Sequence, residues 1–401
     1  MSLRHLTRGL LAGLAAAAAL LAHADEPERL HADLREAIVR VPARVEDAFG
    51  KAVEGELVVT TFRPAGPGPF PLVVISHGRD SDKRAEYKRP RYESAARFFV
   101  RKGFAVAVPL RLGYGELAAA GDPEDSVACN MPRFGLALLA AARQILAVRD
   151  FMARQPDIDA SRTLLVGQSV GGISTIAATA AHAPGQVAAI NFAGGHGGNP
   201  ETHPGDPCQA EQLRRLYRSF GEANARTAPP TPTLWVYAEN DRYFAPRHAR
   251  RWAEAYAEGG GAVNLRLLPP FGTDGHKLFS NGNDVWQPLV DEFLATLGFT
   301  RPGHLTAPPA LQPLAGEASA PAGANTTQRA AFQKFLATSA PRAFARDDAG
   351  HWGYANGDDA LSRALAFCQR YLPPREPAPD GTPTPTCRLY AVDDALVQST
   401  P

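Results

Sequence analysis

The six residues Gly167-Gln168-Ser169-Val170-Gly171-Gly172 constrain this chain more than any other stretch. They set a serine in a G-x-S-x-G pattern between a β-like run, Thr163 to Val166, and an Ala-rich helical stretch from Ile173 to Ala181. A strand, a very tight turn and a helix in that order push a serine hydroxyl out of the top of a sheet in strained backbone geometry, and the flanking glycines remove side chains that would clash. With 36 Gly in 401 residues, the bare pattern arises by chance in about one such chain in ten. The surrounding elements and the partners of Ser169 therefore decide what it means.

Those elements read as an α/β chain. Glu36 to Val41 and Glu56 to Phe62 alternate or carry β-branched residues between Pro and Gly, as antiparallel leading strands do. Leu72 to Ser76 and Phe104 to Val108 are short continuous apolar runs, the mark of parallel strands buried on both faces, and the helical stretch Tyr92 to Lys102 lies between them. Leu136 to Arg154 reads as an amphipathic crossover helix with Leu139, Ala142, Leu146 and Phe151 on its apolar face. Strands Val187 to Phe192, Thr233 to Tyr237 and Val263 to Leu268 then alternate with helices His248 to Glu258 and Trp286 to Leu297. The sum is a doubly wound, mostly parallel sheet.

Both ends of the chain depart from that pattern. Arg4 and Arg8, the uncharged run Gly9 to Leu21 and Ala22-His23-Ala24 read as a signal peptide with cleavage after Ala24, so residues 1–24 are expected to be removed and the protein to be periplasmic or secreted. From Arg301 to Gln328 the chain turns rich in Pro, Ala, Gly and Thr and reads as a linker. A small α+β unit is expected over 329–401, with a hairpin from Arg342 to Ala345 and Trp352 to Tyr354, a helix Asp359 to Tyr371 and a strand Arg388 to Val392. Four cysteines suit an oxidising compartment. Of the three possible connectivities, Cys129 with Cys208 and Cys368 with Cys387 is the economical one, because each bridge then closes a loop inside one folding unit. A formal net charge of +1 gives no field to attract nucleic acid.

A serine hydroxyl needs a base within reach and an acid to orient that base. Asp241 lies just past the strand Thr233 to Tyr237 and His276 just past Val263 to Leu268, so acid and then histidine follow the serine, each in a loop after a strand. Glu239 competes with Asp241 for the acid position. An oxyanion hole also needs two backbone N–H groups. Val170 supplies one, and Arg79, in the turn after the run Val73 to Ser76, is assigned the other, with Gly78 as the alternative. His77 is expected to shape that turn, and His196 to be a loop residue near the pocket. The basic run Lys83, Arg84, Lys88, Arg89 and Arg91 is expected to be a solvated loop, and Trp352 and Tyr354 to fill a small core.

On the strand-His-Gly turn, the G-x-S-x-G-G elbow, the Asn-Asp loop and the Asp-Gly-His turn, residues Glu36 to Phe299 resemble the α/β-hydrolase superfamily, and within it the dienelactone-hydrolase-like and acetylhydrolase-like serine esterases. That resemblance implies a hydrolase domain over 25–300 that cleaves a small-molecule ester through an acyl-enzyme, without metal or organic cofactor. True dienelactone hydrolases use a cysteine nucleophile, so their substrate is not implied by a chain with Ser169 at that position. Serine peptidases share the fold, which leaves an amide as the second substrate class, and a hydrolase scaffold retired to a binding role is a third reading. The segments Leu112 to Arg133 and Ala193 to Ala228 are expected as loops shaping the pocket, tied together by a Cys129–Cys208 bridge.

Overall fold

The computed structural model describes residues 31, 34–64, 66, 68–299, 311–339, 341–357, 360–372 and 387–397. The expected signal peptide, residues 1–24, and residues 300–310 of the expected linker lie outside the described residues. Eight strands form the large sheet: β1 (Ala37–Glu46), β2 (Ala52–Phe62), β3 (Phe70–Ser76), β4 (Ala105–Leu110), β5 (Ile158–Gln168), β6 (Gln186–Phe192), β7 (Thr233–Ala238) and β8 (Val263–Leu268). Their order is β1-β2-β4-β3-β5-β6-β7-β8. β2 runs antiparallel to both β1 and β4, and β4, β3 and β5 to β8 are mutually parallel.

The short apolar runs become central strands because both faces of the sheet are covered. Along β3, Leu72 and Val74 pack into one core with Leu165, Ala189 and Trp235, while Val73 and Ile75 pack into the other with Leu164, Val166, Ile190 and Val236. Alternate side chains thus serve opposite cores, and no position has to be polar. Each fully buried Val, Leu or Ile contributes about 1.5–3 kcal/mol to folding. Helices α1 (Glu93–Arg101), α2 (Phe134–Ala153), α3 (Val170–Thr179), α4 (Ala210–Asn224) and α5 (Pro246–Glu258) cover the sheet. A short α6 (Leu278–Asn281) then leads into α7 (Asn283–Thr296).

Two expectations about the helices of the large sheet need correction. The stripe expected on α2 holds only in part: Ala142 is buried and Leu146 and Phe151 pack half-buried against the core, but Leu139 is 43% exposed, and Ala137, Leu138, Ala141, Ile145, Val148 and Met152 are buried as well. The helix is so rich in Leu and Ala that more than one stripe satisfies a 3.6-residue period, and packing against the sheet selects one. The stretch expected as the pocket loop Ala193 to Ala228 contains α4, whose Leu213 and Tyr217 enter the core beside Trp235 and Trp252.

A second, antiparallel sheet follows: β9 (Leu311–Pro313), β10 (Arg342–Arg346), β11 (Trp352–Asn356), β12 (Arg388–Val392) and β13 (Ala395–Val397), in the order β11-β10-β12-β13-β9. It is covered by α8 (Thr326–Leu336) and α9 (Ala360–Gln369). Part of the expected linker Arg301 to Gln328 is therefore structured, since β9 pairs with β13 and Asn325 caps α8 by accepting the Gln328 N–H at 2.8 Å. β9 is a three-residue edge strand containing Pro313, too short to show a period. Trp352 and Tyr354 are half-buried against the cluster of Phe332, Phe335 and Phe344. Cys129 bonds Cys208 and Cys368 bonds Cys387. This sheet meets the larger one at α1, where Arg97 and Arg101 reach Asp393 at 3.4 and 3.3 Å. No described helix is long and apolar enough to cross a membrane.

Candidate active site

β5 ends at Gln168 and α3 begins at Val170, which leaves Ser169 alone to make the turn. Its φ of 57° and ψ of −125° put a non-glycine residue in a region that costs on the order of 1–3 kcal/mol. The elbow closes because Gly171 has no side chain: a Cβ there would lie 2.2 Å from the Ser76 carbonyl oxygen and 2.4 Å from that of His77. The Ser169 carbonyl accepts the N–H groups of Gly172, Ile173 and Gly195, at 2.9, 3.2 and 3.2 Å. The turn is thus over-determined from both sides.

Asp241 and His276 meet after β7 and β8. His276 Nδ1 lies 3.2 and 3.1 Å from the two carboxylate oxygens of Asp241, both residues being buried. Asp241 Oδ1 also accepts the N–H groups of Tyr243 and Phe244 at 2.8 and 2.9 Å, which fixes the carboxylate as an acceptor. Glu239 is exposed and has no bond to His276, so the structure brings Asp241 and not Glu239 to the imidazole. The ring is held on one face by Tyr243, stacked at 4.1 Å between centroids, and at an edge by Phe244 at 5.4 Å.

Three residues that sequence reasoning missed, Gln168, Asp274 and Asn240, fasten these two loops, and the first of them joins the loops to the elbow. Gln168 donates its amide to the His276 carbonyl at 3.0 Å. Asp274 Oδ1 accepts the N–H groups of His276 and Arg242, at 3.0 and 3.1 Å. Asn240 accepts the Phe271 N–H at 2.8 Å and donates to the carbonyls of Phe271 and Gly272. Asp-Gly and Asn-Asp pairs signal turns in a sequence, but nothing there says which turns meet. Among the described residues Ser169 Oγ has no hydrogen-bond partner in this conformation.

The turn after β3 packs directly on the serine. A Cβ on Gly78 would lie 3.1 Å from Ser169 Cβ and 3.6 Å from its Oγ, so a glycine permits this approach. Neither Val170 nor Arg79 donates its backbone N–H to another described group. His77 is neutral: burial, with the charge of Arg111 adding to it, holds the imidazole well below its ordinary pKa. Its Nδ1–H donates to the Gly78 carbonyl at 2.7 Å and its Nε2 accepts the Arg111 N–H at 3.3 Å, leaving no nitrogen for a proton shuttle. His196 is buried against Phe134, and burial pushes its pKa down to about 3.

The basic run divides. Lys83 and Lys88 are exposed as expected, whereas Arg91 and Arg89 pair with the buried Glu36, at 2.8 Å from Arg91 Nε and 3.1 Å from Arg89 Nη1, and Arg84 donates to the Gly113 carbonyl at 2.6 Å. Those arginines are internal fasteners and not a solvated loop. A cavity of about 250 Å³ beside the elbow is lined by Gln168, Ser280, Tyr87, Tyr92, Arg89 and Arg91, among others. A larger cleft of about 400 Å³ is lined only by residues of the second sheet and its helix, from Gly350 to Tyr371, and shares no residue with the Ser169 site. Among the described residues no three His, Cys, Asp or Glu side chains converge as metal ligands.

No family model and no curated protein sequence matches the chain. Among solved structures it is similar to Est1E from Butyrivibrio proteoclasticus, at 16% identity over 65% of this chain and 100% of that one, with a TM-score of 0.41. Thermogutta terrifontis esterase 2 matches at 17% identity over 62% and 92% of the two chains, with a TM-score of 0.42. A Mycobacterium tuberculosis puromycin-hydrolyzing peptidase matches at 18% identity over 69% of this chain and 42% of that one, with a TM-score of 0.43. The architecture is identified by the chain's own topology: a β1-β2-β4-β3-β5-β6-β7-β8 sheet with a serine at the sharp turn after β5 and acid and histidine loops after β7 and β8 is an α/β-hydrolase fold.

Proposed function

We propose that the protein is an exported serine hydrolase of carboxylic esters, with Ser169 as nucleophile, His276 as base, Asp241 as the acid that orients it, and the backbone N–H groups of Val170 and Arg79 as the oxyanion hole. The observation that carries this reading is the buried Asp241–His276 pair, held in the loops after β7 and β8 and tied through Gln168 to the strained elbow. His276 takes the Ser169 proton on Nε2 as Oγ attacks the ester carbonyl. Asp241, acceptor for Nδ1–H, stabilises the imidazolium that forms. The carbonyl electrons move onto oxygen, where each N–H of the hole contributes about 3–4 kcal/mol in the transition state. Collapse breaks the bond to the alkoxy group, which leaves with the proton from His276. Water, deprotonated by the same imidazole, then frees the acid and restores Ser169.

The boundaries that go with this reading are a signal peptide over 1–24, a hydrolase domain over 25–300 and a separate C-terminal unit. The two disulfides favour the periplasm or the exterior over a reducing cytosol. A small-molecule ester is the expected substrate. The test is turnover of p-nitrophenyl acetate beside the matched anilide, acetyl-p-nitroanilide. The expected result is ester hydrolysis that is lost in Ser169→Ala; faster cleavage of the anilide moves the assignment to amides, and ester turnover unchanged in Ser169→Ala overturns it.

A further inference from the structure

We infer that Asp122 and Glu124, two carboxylates of one loop, are positioning residues that hold the turn His77 to Arg79 in its oxyanion-binding shape; the inference rests on the Ser169 reading above. Their contacts converge on that turn by two routes. Glu124 grips Arg111 bidentately, Nε to Oε1 at 2.5 Å and Nη2 to Oε2 at 3.0 Å, and both side chains are fully buried. The remaining Arg111 nitrogen, Nη1, donates to Ser76 Oγ at 2.9 Å and to the His77 carbonyl at 2.8 Å. The Arg111 backbone N–H reaches His77 Nε2, and His77 in turn donates to the Gly78 carbonyl. The second route runs through Asp122, which binds the guanidinium of Arg79 at 3.1 and 2.7 Å. Tyr114 joins the two, donating to Glu124 at 2.8 Å and accepting from Arg79 at 3.0 Å.

A completely buried arginine–carboxylate pair is a poor device for stability, because apolar side chains of the same volume commonly do as well. It specifies geometry: the planar fork of Arg111 has one orientation once Glu124 holds two of its nitrogens, and that orientation aims the third at residues 76–77, on the hydroxyl of Ser76 and the main-chain carbonyl of His77. That main chain carries the two carbonyls against which Gly171 of the elbow packs. The carboxylates thus fix where the N–H of Arg79 lies relative to Ser169. The pairing also neutralises Arg79, whose guanidinium is engaged by Asp122, so the residue is left to act through its backbone. The Cys129–Cys208 bridge anchors the far end of the same loop to the segment leading into α4.

Asp122→Asn and Glu124→Gln are compared with the wild-type full chain in turnover of p-nitrophenyl acetate, in inhibition by phenylboronic acid, which mimics the tetrahedral intermediate, and in the pH dependence of kcat/KM. The expected result is a fall in kcat/KM of about 10- to 100-fold per variant, a loss of phenylboronic acid affinity in the same proportion, and an unmoved midpoint of the acid limb, since Asp241 and His276 are untouched. A role confined to folding would lower the number of sites titrated by a fluorophosphonate and leave the boronate affinity of the remaining sites unchanged, and that outcome overturns the inference. Wild-type kcat/KM and boronate affinity in either folded variant also overturn it. Asp122, with 14% of its side chain exposed, decides the matter alone if Glu124→Gln does not fold. Absence of turnover in the wild type overturns the Ser169 reading instead.

Discussion

The two sheets of this molecule solve the same burial problem by different means. The eight-stranded sheet is covered on both faces by helices and has two extensive cores, including fully buried Trp235 and Trp286. The five-stranded sheet has strands of three to five residues, two small clusters built mostly of Ala and Phe, and the Cys368–Cys387 bridge within one of them. The first can hold a strained elbow and a buried Arg111–Glu124 pair because abundant apolar burial offsets their cost. The second has smaller clusters and carries a covalent bond. The strained elbow and the buried Arg111–Glu124 pair both lie with the larger cores.

The sharpest way to break this contrast is Gly171→Ala. The new methyl group would overlap two backbone carbonyls at 2.2 and 2.4 Å, and backbone cannot move aside as a side chain can. A destabilisation of about 3–5 kcal/mol is expected, with ester turnover lost; a melting temperature within a degree or two of the wild type would contradict the over-determined elbow. Next comes Cys368→Ser, which opens a loop spanned by a sequence separation of 19. About 3 kcal/mol should be lost, seen by hydrogen exchange in β10 to β13 and α9 and not in β3 to β8. Protection lost equally in both sheets would show that they unfold as one.

Asp393→Ala probes the connection between them. Its carboxylate accepts the Arg342 N–H at 2.9 Å and faces Arg97 and Arg101, so its removal should cost about 1–3 kcal/mol and separate the two thermal transitions. A single transition as cooperative as that of the wild type would place the coupling elsewhere. A pH-dependent effect is expected on acid stability. His196 stays neutral in the fold down to about pH 3, whereas the unfolded chain protonates it below about 6.5. The unfolded state therefore binds the extra proton, and stability, complete above pH 6.5, falls as pH drops toward 3 by up to about 1.4 kcal/mol per unit. His196→Phe should flatten that slope in the large sheet over pH 6 to 4; an unaltered slope would assign it to other groups.

The same contrast governs what could be read from the sequence. Strands β3 to β8 were legible because parallel strands buried on both faces must be short and uniformly apolar, and their ends only shifted by a few residues. The position of Ser169, Asp241 and His276 relative to those strands was legible for the same reason. α4 was missed because the glycine-rich stretch before it suggests a loop, although Leu213 and Tyr217 lie one helical turn apart. β9 and β13 were missed because three residues cannot display a period. The Arg89 and Arg91 pairs with Glu36, and those of Arg79 with Asp122 and Arg111 with Glu124, join residues up to 55 apart. Nothing local distinguishes such arginines from solvated ones, so the basic run was misread and the second layer behind the oxyanion turn was invisible.

The central claim is that the geometry of the large sheet activates Ser169. Labelling of the mature protein by a fluorophosphonate, with the adduct located by peptide mass spectrometry in wild type, Ser169→Ala and His276→Ala, tests it without a chosen substrate. A single adduct on Ser169, absent from the first variant and slowed by about 10³-fold or more in the second, is the predicted result. A folded wild type that does not label, or an adduct on another residue, would contradict it.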